Sequence, residues 1–260
     1  MARIAFVYDD VALPGQGATA SAATEADTDF PKENLVSPER KRMWRSTATP
    51  AGTINLDIDL GSAKAITGFG IHYLRSEAAA GSHPVINVQS SATSFASAAT
   101  RASQTAAYWN DDAYGREVRD WVDTVAVQTH RYWRINCTSV ASRFSIGKIV
   151  LGTGKDFGRL YTAGSEFQWR VPSLRARTVS QDVVDWPVGD PYKLFRYEYF
   201  GETDADRAVF ELLARQQYPF GLLDSTGASN HVVLADGMLT RFSHTFNLLW
   251  TTGLEMEQMP

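Results

Sequence analysis

The chain has 260 residues, a formal net charge of -4 and a hydrophobic content of 44%. That length suits one large domain or two ordinary ones, and that apolar content is typical of a globular protein with a real core. The negative charge argues against a protein whose main task is to bind nucleic acid, because such proteins cluster lysine and arginine. No apolar run approaches the roughly 18–20 residues that a membrane-spanning helix needs. We therefore expect neither nucleic-acid specificity nor membrane insertion.

Cys137 is the single cysteine, so no intrachain disulfide can form. It ends a strand-like run that starts at Tyr132, which favours a small core residue over a nucleophile. The first ten residues lack the long apolar stretch of a signal peptide. We therefore expect the protein to be made and folded in a cytoplasm.

From its start to Leu151 the chain shows the pattern of β-strands. A short first strand is expected at residues 4–8, followed by a small-residue connection. Residues 54–60 alternate apolar and polar side chains without a fault, so one face should be buried and the other wet. Gly61 and Ser62 should then break this strand. Short strands between turn residues predict a sandwich or a barrel, and further strands are expected at residues 66–74, 85–88, 118–127, 132–137 and 144–151.

The pattern of the sequence changes after the glycine-rich segment 152–154. This segment is the expected domain boundary. We therefore predict one domain over residues 1–153 and a second over residues 154–260. The only strong helix signal lies near residues 203–217, where Thr203 can cap the helix and acidic residues in the first turn oppose its dipole. The predicted fold is mainly β, with one α-helix in the second domain, and its further strands are expected at residues 167–171, 192–200, 231–234 and 238–250.

The sequence carries no motif of a known catalytic chemistry. It has no glycine-rich phosphate loop, no Cys-x-x-Cys pair, no His-Glu-x-x-His and no Gly-x-Ser-x-Gly elbow. The five histidines show no ligand-like spacing. We therefore predict no catalytic residues, no metal site, no cofactor and no enzyme activity.

Paired carboxylates are the remaining candidates for chemistry. Asp57 and Asp59 point the same way on one predicted strand, about 7 Å apart. Such a pair could serve a glycosidase or hold calcium. On an alternating strand the same spacing simply makes the solvent face, and we favour that interpretation. Asp111 and Asp112 lie in an aromatic loop and are the better candidates for a ligand, although a plain turn explains them too.

Three residues are candidates for binding a glycan: Arg45, Trp109 and Asp111. Aromatic and planar cationic side chains can stack on sugar rings and form hydrogen bonds with them. The neighbouring Trp44 could also do so, but tryptophan is highly buried on average. We therefore interpret Trp44 as a core residue, and a solvated Arg45 remains the plainer alternative.

A set of short motifs is spread over residues 34–152: Asn34-Leu35-Val36, Met43-Trp44-Arg45-Ser46, Asp59-Leu60-Gly61, Ile66-Thr67-Gly68-Phe69, Arg131-Tyr132-Trp133-Arg134-Ile135 and Ile146-Gly147-Lys148-Ile149-Val150-Leu151-Gly152. As a set these motifs resemble a galactose-binding-like, discoidin-type domain. The resemblance implies a jelly-roll β-sandwich whose end loops often bind carbohydrate, with the tryptophan at position 44 packed inside. Because the binding loops of that family vary widely, no ligand residue is carried over.

Four segments stand out in residues 155–260: Ser165–Arg170, Arg175–Thr178, the strand–helix unit 195–215 and the end from Phe246. With these segments the region resembles the ring-forming part of phage distal tail proteins. The resemblance implies a β-sandwich or split barrel with one helix that packs side by side into a ring, hexameric by analogy. Its implied partners are the tail tube, the tape measure, and hub or fibre proteins, and its implied location is the virion tail tip, assembled in the host cytoplasm.

Three hypotheses therefore stay open. The favoured one is a structural ring subunit of a phage tail tip, which the resemblance of residues 155–260 implies. The aromatic content of 12% is compatible with it, because aromatic residues favour sheets and contact surfaces. The second is a carbohydrate-binding module for host-surface glycans. The third is a glycan hydrolase that uses the paired carboxylates. The sequence also leaves open whether the first strand pairs with the sandwich or with a neighbouring subunit.

Overall fold

The strands dominate the computed structural model, as the alternating sequence predicts. The mainly β class with a single described helix is confirmed. No helix in the described ranges is long and apolar enough to cross a membrane. The structure describes residues 4–22, 29–37, 42–47, 52–78, 82–104, 118–157, 166–170, 173–177, 183–187, 192–202, 204–215, 220–224, 231–245 and 249–258.

Contacts divide the chain into two compact units. The first comprises Met1–Gly158 and Phe220–Leu234, and the second comprises Arg159–Pro219 and Ala235–Pro260. The predicted boundary between residues 153 and 154 concerns domains that fold independently, and it stays a prediction.

The strands up to residue 156 all belong to the first unit. Short 3-10 turns at Pro14–Gln16, Lys32–Val36 and Phe95–Ser97 lie between them. The strands are β1 (Ile4–Tyr8), β2 (Thr19–Ala22), β3 (Trp44–Arg45), β4 (Gly52–Ser76), β5 (Val85–Ser91), β6 (Ala99–Gln104), β7 (Val118–Val140), β8 (Phe144–Ile146) and β9 (Lys148–Asp156).

The elements that follow are β10 (Glu166–Arg170), β11 (Ser173–Arg177), β12 (Val183–Pro187), β13 (Tyr192–Glu202), α1 (Asp204–Arg215), β14 (Phe220–Asp224), β15 (His231–Thr245) and β16 (Leu249–Gln258). In the second unit the strand order is β10-β13-β16-β15, and β11 pairs with β12 in a separate hairpin. The helix near the expected position buries Phe210 and Leu213, whereas Leu212, expected on the same apolar face, is exposed. The expected cap, Thr203, lies outside the described residues.

Antiparallel pairing joins the strands of the first unit in the order β14-β1-β9-β4-β7-β5-β6, with β2 added to β4 and β3 to β8. The predicted alternation at residues 54–60 is confirmed, because Ile54, Leu56, Ile58 and Leu60 are buried while the residues between them are half-exposed. Trp133, on β7, is one of the largest buried side chains. The core is continuous, because Trp44, Trp121 and Trp133 belong to the same buried cluster as the aliphatic rows.

The predicted break at Gly61 and Ser62 is wrong. The strand continues through them to Ser76 as a bulge, where the pairing shifts from Asp59 opposite Tyr132 to Lys64 opposite His130. Gly61 absorbs the bulge with a φ of 73°, a left-handed conformation that costs glycine little. Since both β4 and β7 run past the bulge, each of them merges two strands that the sequence suggested were separate.

The first strand, β1, pairs inside its own chain. Its residues Ala5–Tyr8 lie against β9 on one side, and Ile4–Val7 lie against β14 on the other. Close approach requires glycine here, because a Cβ at Gly152 would collide with the carbonyl oxygen of Tyr8. The glycine-rich segment 152–154 therefore lies within β9, where the neighbouring backbone approaches closely.

Candidate functional site

The residues predicted to bind a glycan are only partly within the described chain. Trp109 and Asp111 lie outside it, so their roles stay predictions. Arg45 is half-buried on β3, where its guanidinium carbon lies 3.9 Å from the ring centroid of Phe30. Trp44 is fully buried and packs edge-on against Phe144, with centroids 6.5 Å apart, which confirms that it is a core residue. Arg45 thus stacks on the protein's own ring, and its role in glycan binding stays a prediction.

A different set of polar side chains comes together on the outer face of β4 and β7. Residues that lie directly opposite each other in an antiparallel pair point to the same face of the sheet. The polar residues of β4 therefore lie opposite polar residues of β7 in three successive pairs, and all six side chains are half-exposed. We call these pairs the three rows: Asn55 opposite Asn136, Asp57 opposite Arg134, and Asp59 opposite Tyr132.

Two arginines hold the paired carboxylates that the sequence singled out. Arg134 donates from Nε to Asp57 Oδ1 at 2.6 Å and from Nη2 to Oδ2 at 2.8 Å. Arg131 makes the same two-pronged contact with Asp59, also at 2.6 and 2.8 Å. Such planar, bidentate pairs are the strongest charge-assisted hydrogen bonds that side chains form. Each guanidinium and each carboxylate is therefore fixed in orientation.

The hydrogen bonds from Arg131 lower the pKa of the Asp59 carboxyl below its ordinary value, helped by a hydrogen bond from the Gly61 backbone. In turn the hydrogen bond to Asp57 raises the pKa of Arg134. A glycosidase acid must keep its proton near neutral pH, which requires a raised carboxyl pKa. The pKa of Asp59 is shifted in the opposite direction, which does not suit Asp59 to that role. The wet-face interpretation of the alternating strand fits the half-exposed positions of both carboxylates.

An aromatic pair lies beside these arginines. The Phe95 ring, carried by the turn after β5, stands edge-on to the Tyr132 ring with centroids 5.0 Å apart and planes at 70°. The guanidinium carbon of Arg131 lies 5.0 Å from the Tyr132 centroid, and that of Arg134 lies 5.6 Å from the Phe95 centroid. Both rings are half-exposed. We call these two rings and two arginines the aromatic patch.

Hydroxyl groups fix the turn that carries Phe95. Ser97 Oγ lies 2.8 Å from Ser91 Oγ and 2.9 Å from Thr93 Oγ1. Ser91 Oγ also accepts the backbone N–H groups of Thr93 and Ser94. Serine and threonine side chains commonly fix short turns in this way. The Phe95 ring is therefore presented from an ordered turn.

The third feature of this face is a row of hydrogen-bonded amides across four strands. Asn136 Nδ2 donates to Asn55 Oδ1 at 2.8 Å, and Asn87 Nδ2 donates to Asn136 Oδ1 at 3.3 Å. Ser103 Oγ on β6 then donates to Asn87 Oδ1 at 2.7 Å. We call these four side chains the amide row. It continues the first of the three rows onto β5 and β6.

Sequence reasoning missed the aromatic patch. Tyr132 and Arg134 alternate with buried residues in the run that predicted a strand, so their shared outer face could have been read from the sequence. Phe95 could not, because it lies in a small-residue stretch with no period and reaches Tyr132 only through the fold. The described residues hold no group of three or more side chains suited to a metal ion. The rings, guanidinium groups and amides of this face offer stacking and hydrogen bonding.

Comparisons with known proteins find similar structures but no family. No family description and no curated protein matches the sequence. A chitosan-binding module of a chitosanase/glucanase from Paenibacillus sp. IK-5 is 17% identical, with a TM-score of 0.43, over 55% of this chain and 98% of that one. A CBM32 module from Clostridium perfringens in complex with GalNAc-β-1,3-galactose is 13% identical, with a TM-score of 0.41, over 54% and 98%.

A fucosidase from Ruminococcus gnavus in complex with fucose is also similar, at 12% identity and a TM-score of 0.43. The match covers 56% of this chain but only 27% of the fucosidase. At these values the similarities assign neither a ligand nor a family to this chain.

Proposed function

We propose that the first unit is a non-catalytic carbohydrate-binding module and that the outer face of β4, β7 and β5 contacts the sugar. The aromatic patch carries this proposal. A sugar ring presents C–H groups on its faces and hydroxyls around its rim, so its binding sites combine aromatic rings with planar hydrogen-bonding groups. Tyr132 and Phe95 supply the rings, and the arginine–carboxylate pairs supply fixed donors and acceptors beside them.

The ion pairs also lower the cost of binding. Ordering a flexible side chain at an interface costs roughly 0.5–1.5 kcal/mol. Arg131 and Arg134 are each held by two hydrogen bonds within the protein itself. Because little further ordering is needed, a weak set of contacts with a sugar can still give measurable affinity.

Glycan arrays probed with the full chain, followed by calorimetry on the best glycan, test this proposal. Changing Tyr132 to Ala should weaken binding by about tenfold or more, equivalent to roughly 1.4 kcal/mol, since aromatic anchors dominate such contacts. Val127→Ala is the matched control, because Val127 lies on the same strand and is 63% exposed. Equal affinity of the two variants for the best glycan would overturn the proposal, as would an array on which the wild-type protein binds nothing.

A structural ring subunit of a phage tail tip is the second candidate. It rests on the resemblance of residues 155–260 to distal tail proteins. One described feature favours it: β10 ends the strand order of the second unit and pairs, within the described ranges, with β13 alone. A strand edge of this kind can pair with a strand of another chain.

In that candidate the ring, hexameric by analogy, would join the tail tube and tape measure to hub or fibre proteins at the virion tail tip. The carbohydrate-binding face would then serve attachment to a host surface. Light scattering across a concentration series, followed by negative-stain imaging, tests the assembly. A closed ring of several subunits supports it, and a monomer at every concentration counts against self-assembly.

A further inference from the structure

We propose that the ligand is the interior of an uncharged, extended polysaccharide chain, which lies along β7 from the aromatic patch to the amide row. This inference rests on the proposed function and names its ligand class. Single sugars or chain ends would need only the aromatic patch. The continuation of ordered polar groups beyond that patch points to a ligand longer than one sugar.

The length of the face supports an extended ligand. The three rows are each two residues apart on β4, at positions 55, 57 and 59. Two residues of a strand span about 7 Å, so the outermost rows lie about 13 Å apart. That distance exceeds the width of one sugar ring. A ligand that contacts both Tyr132 and Asn136 must therefore contain several sugars.

The amide row is chemically suited to hydroxyl groups. The bonds between its members use one N–H of Asn136 and one N–H of Asn87. An amide nitrogen carries two N–H groups, and a carbonyl oxygen has two lone pairs. Each amide therefore keeps a donor and an acceptor for a sugar hydroxyl, while its bonds to neighbouring strands fix its plane.

The charge of the face determines the class of polysaccharide. In the three rows each positive group is neutralised by its own carboxylate, as Arg134 by Asp57, and the amide row carries no charge. Arg131, next to Tyr132, is likewise paired with Asp59. An acidic glycan would bring a charge without a free cation in these rows to receive it. Uncharged glycans are therefore favoured, and their binding should depend little on salt.

The test measures affinity against ligand length. The probes are cello-, N-acetylchito- and malto-oligosaccharides from the monosaccharide to the hexasaccharide, with oligogalacturonates as acidic counterparts, titrated into the full chain at low and high salt. We expect affinity to rise from the monosaccharide to at least the trisaccharide of one neutral series, with little effect of salt. Equal affinity for monosaccharide and hexasaccharide, or salt-sensitive preference for oligogalacturonates, would overturn this inference while leaving carbohydrate binding intact.

Variants of the amide row locate the added contacts. Asn136→Ala should weaken binding of the longer oligosaccharides by about 2- to 10-fold, the value of a lost hydrogen bond, and leave the monosaccharide unaffected. Gln128→Ala is the control, since it removes another half-exposed amide from β7 outside the three rows. Ser103→Ala, at the exposed end of the row, is a second variant that leaves the amides in place.

The outcomes separate the two proposals. A length-dependent loss in Asn136→Ala or Ser103→Ala, but not in Gln128→Ala, supports the inference. Unchanged long-chain affinity in both row variants overturns it. Absence of binding to every probe overturns the inference, and the carbohydrate-binding function is overturned only if the glycan array also shows no binding.

Discussion

A buried ion pair attaches the segment after β1 to the sandwich, and its loss should destabilise the first unit. Lys148 Nζ lies 3.2 Å from Asp10 Oδ2, and the two side chains are 4% and 0% exposed. The other oxygen, Oδ1, accepts the backbone N–H groups of Ala12 and Leu151, at 3.0 and 3.2 Å. Lys148 Nζ also donates to the carbonyl oxygen of Ser37 at 3.1 Å.

Replacing one residue of the ion pair leaves the charge of the other buried without a partner charge. In comparable buried pairs this lowers the free energy of unfolding by roughly 3–5 kcal/mol. The surroundings make the two losses unequal. After Lys148→Met the carboxylate of Asp10 keeps two backbone donors, so we expect a loss near the lower limit, about 3 kcal/mol. After Asp10→Asn the ammonium keeps a single carbonyl acceptor, so this loss should be the larger one.

Urea unfolding of the full chain, monitored by tryptophan fluorescence, measures these losses in the free energy of unfolding. The double variant Asp10→Asn/Lys148→Met completes the cycle, and its loss should be smaller than the sum by about 2 kcal/mol, because neither charge is then left alone. Hydrogen exchange of β1 and β9 reports whether the loosened region is the one that the pair attaches. Additive losses, each under about 1 kcal/mol, would refute the reasoning, since they are the values of a solvated surface pair.

Three further predictions follow from described contacts. Gly152→Ala should lower the melting temperature strongly, because the added Cβ would collide with the backbone of β1. Gly15→Ala is the control and should not lower it, since a Cβ there would meet no atom within 4 Å. Equal melting temperatures of the two variants would contradict this. The lowered pKa of Asp59 means that its pair with Arg131 stabilises the fold above the ordinary carboxyl pKa and loses that effect as the pH falls through the lowered value. The stability difference between wild type and Arg131→Gln should therefore shrink on acidification, and a difference that grows would contradict the assignment. Cys137 is buried, and burial raises the pKa of its thiol to about 12. A thiol reagent should therefore modify it only when urea has unfolded the protein. Fast modification of the native protein would contradict its position in the core.

Local pattern predicted the strands whose faces differ in polarity. The alternation at residues 54–60 and the run at Tyr132 required only the side-chain period of a strand, and both are confirmed. The lengths of these strands were predicted less well than their positions. Gly61 would end an isolated strand, but pairing with β7 on both sides of the bulge carries β4 through it. A long-range partner therefore overrode the local turn signal.

Elements that depend on distant partners could not be predicted. No strand was expected just after the helix, yet β14 lies there and pairs with β1 near the start of the chain. The hairpin of β11 and β12 was also missed, because Ser173–Arg177 alternates over five residues only and Val183–Pro187 does not alternate. The same reason applies to the site: Phe95 becomes part of it only where its turn meets Tyr132, whereas Arg45, chosen from its neighbourhood in sequence, stacks on Phe30 instead.

The central claim is that the aromatic patch binds carbohydrate, and calorimetry on matched variants tests it most directly. Wild type and Val127→Ala should bind the best neutral oligosaccharide equally, and Tyr132→Ala and Phe95→Ala should each bind it about tenfold more weakly or not at all, with unchanged melting temperatures. Binding of that oligosaccharide with wild-type affinity by both aromatic variants would contradict the claim.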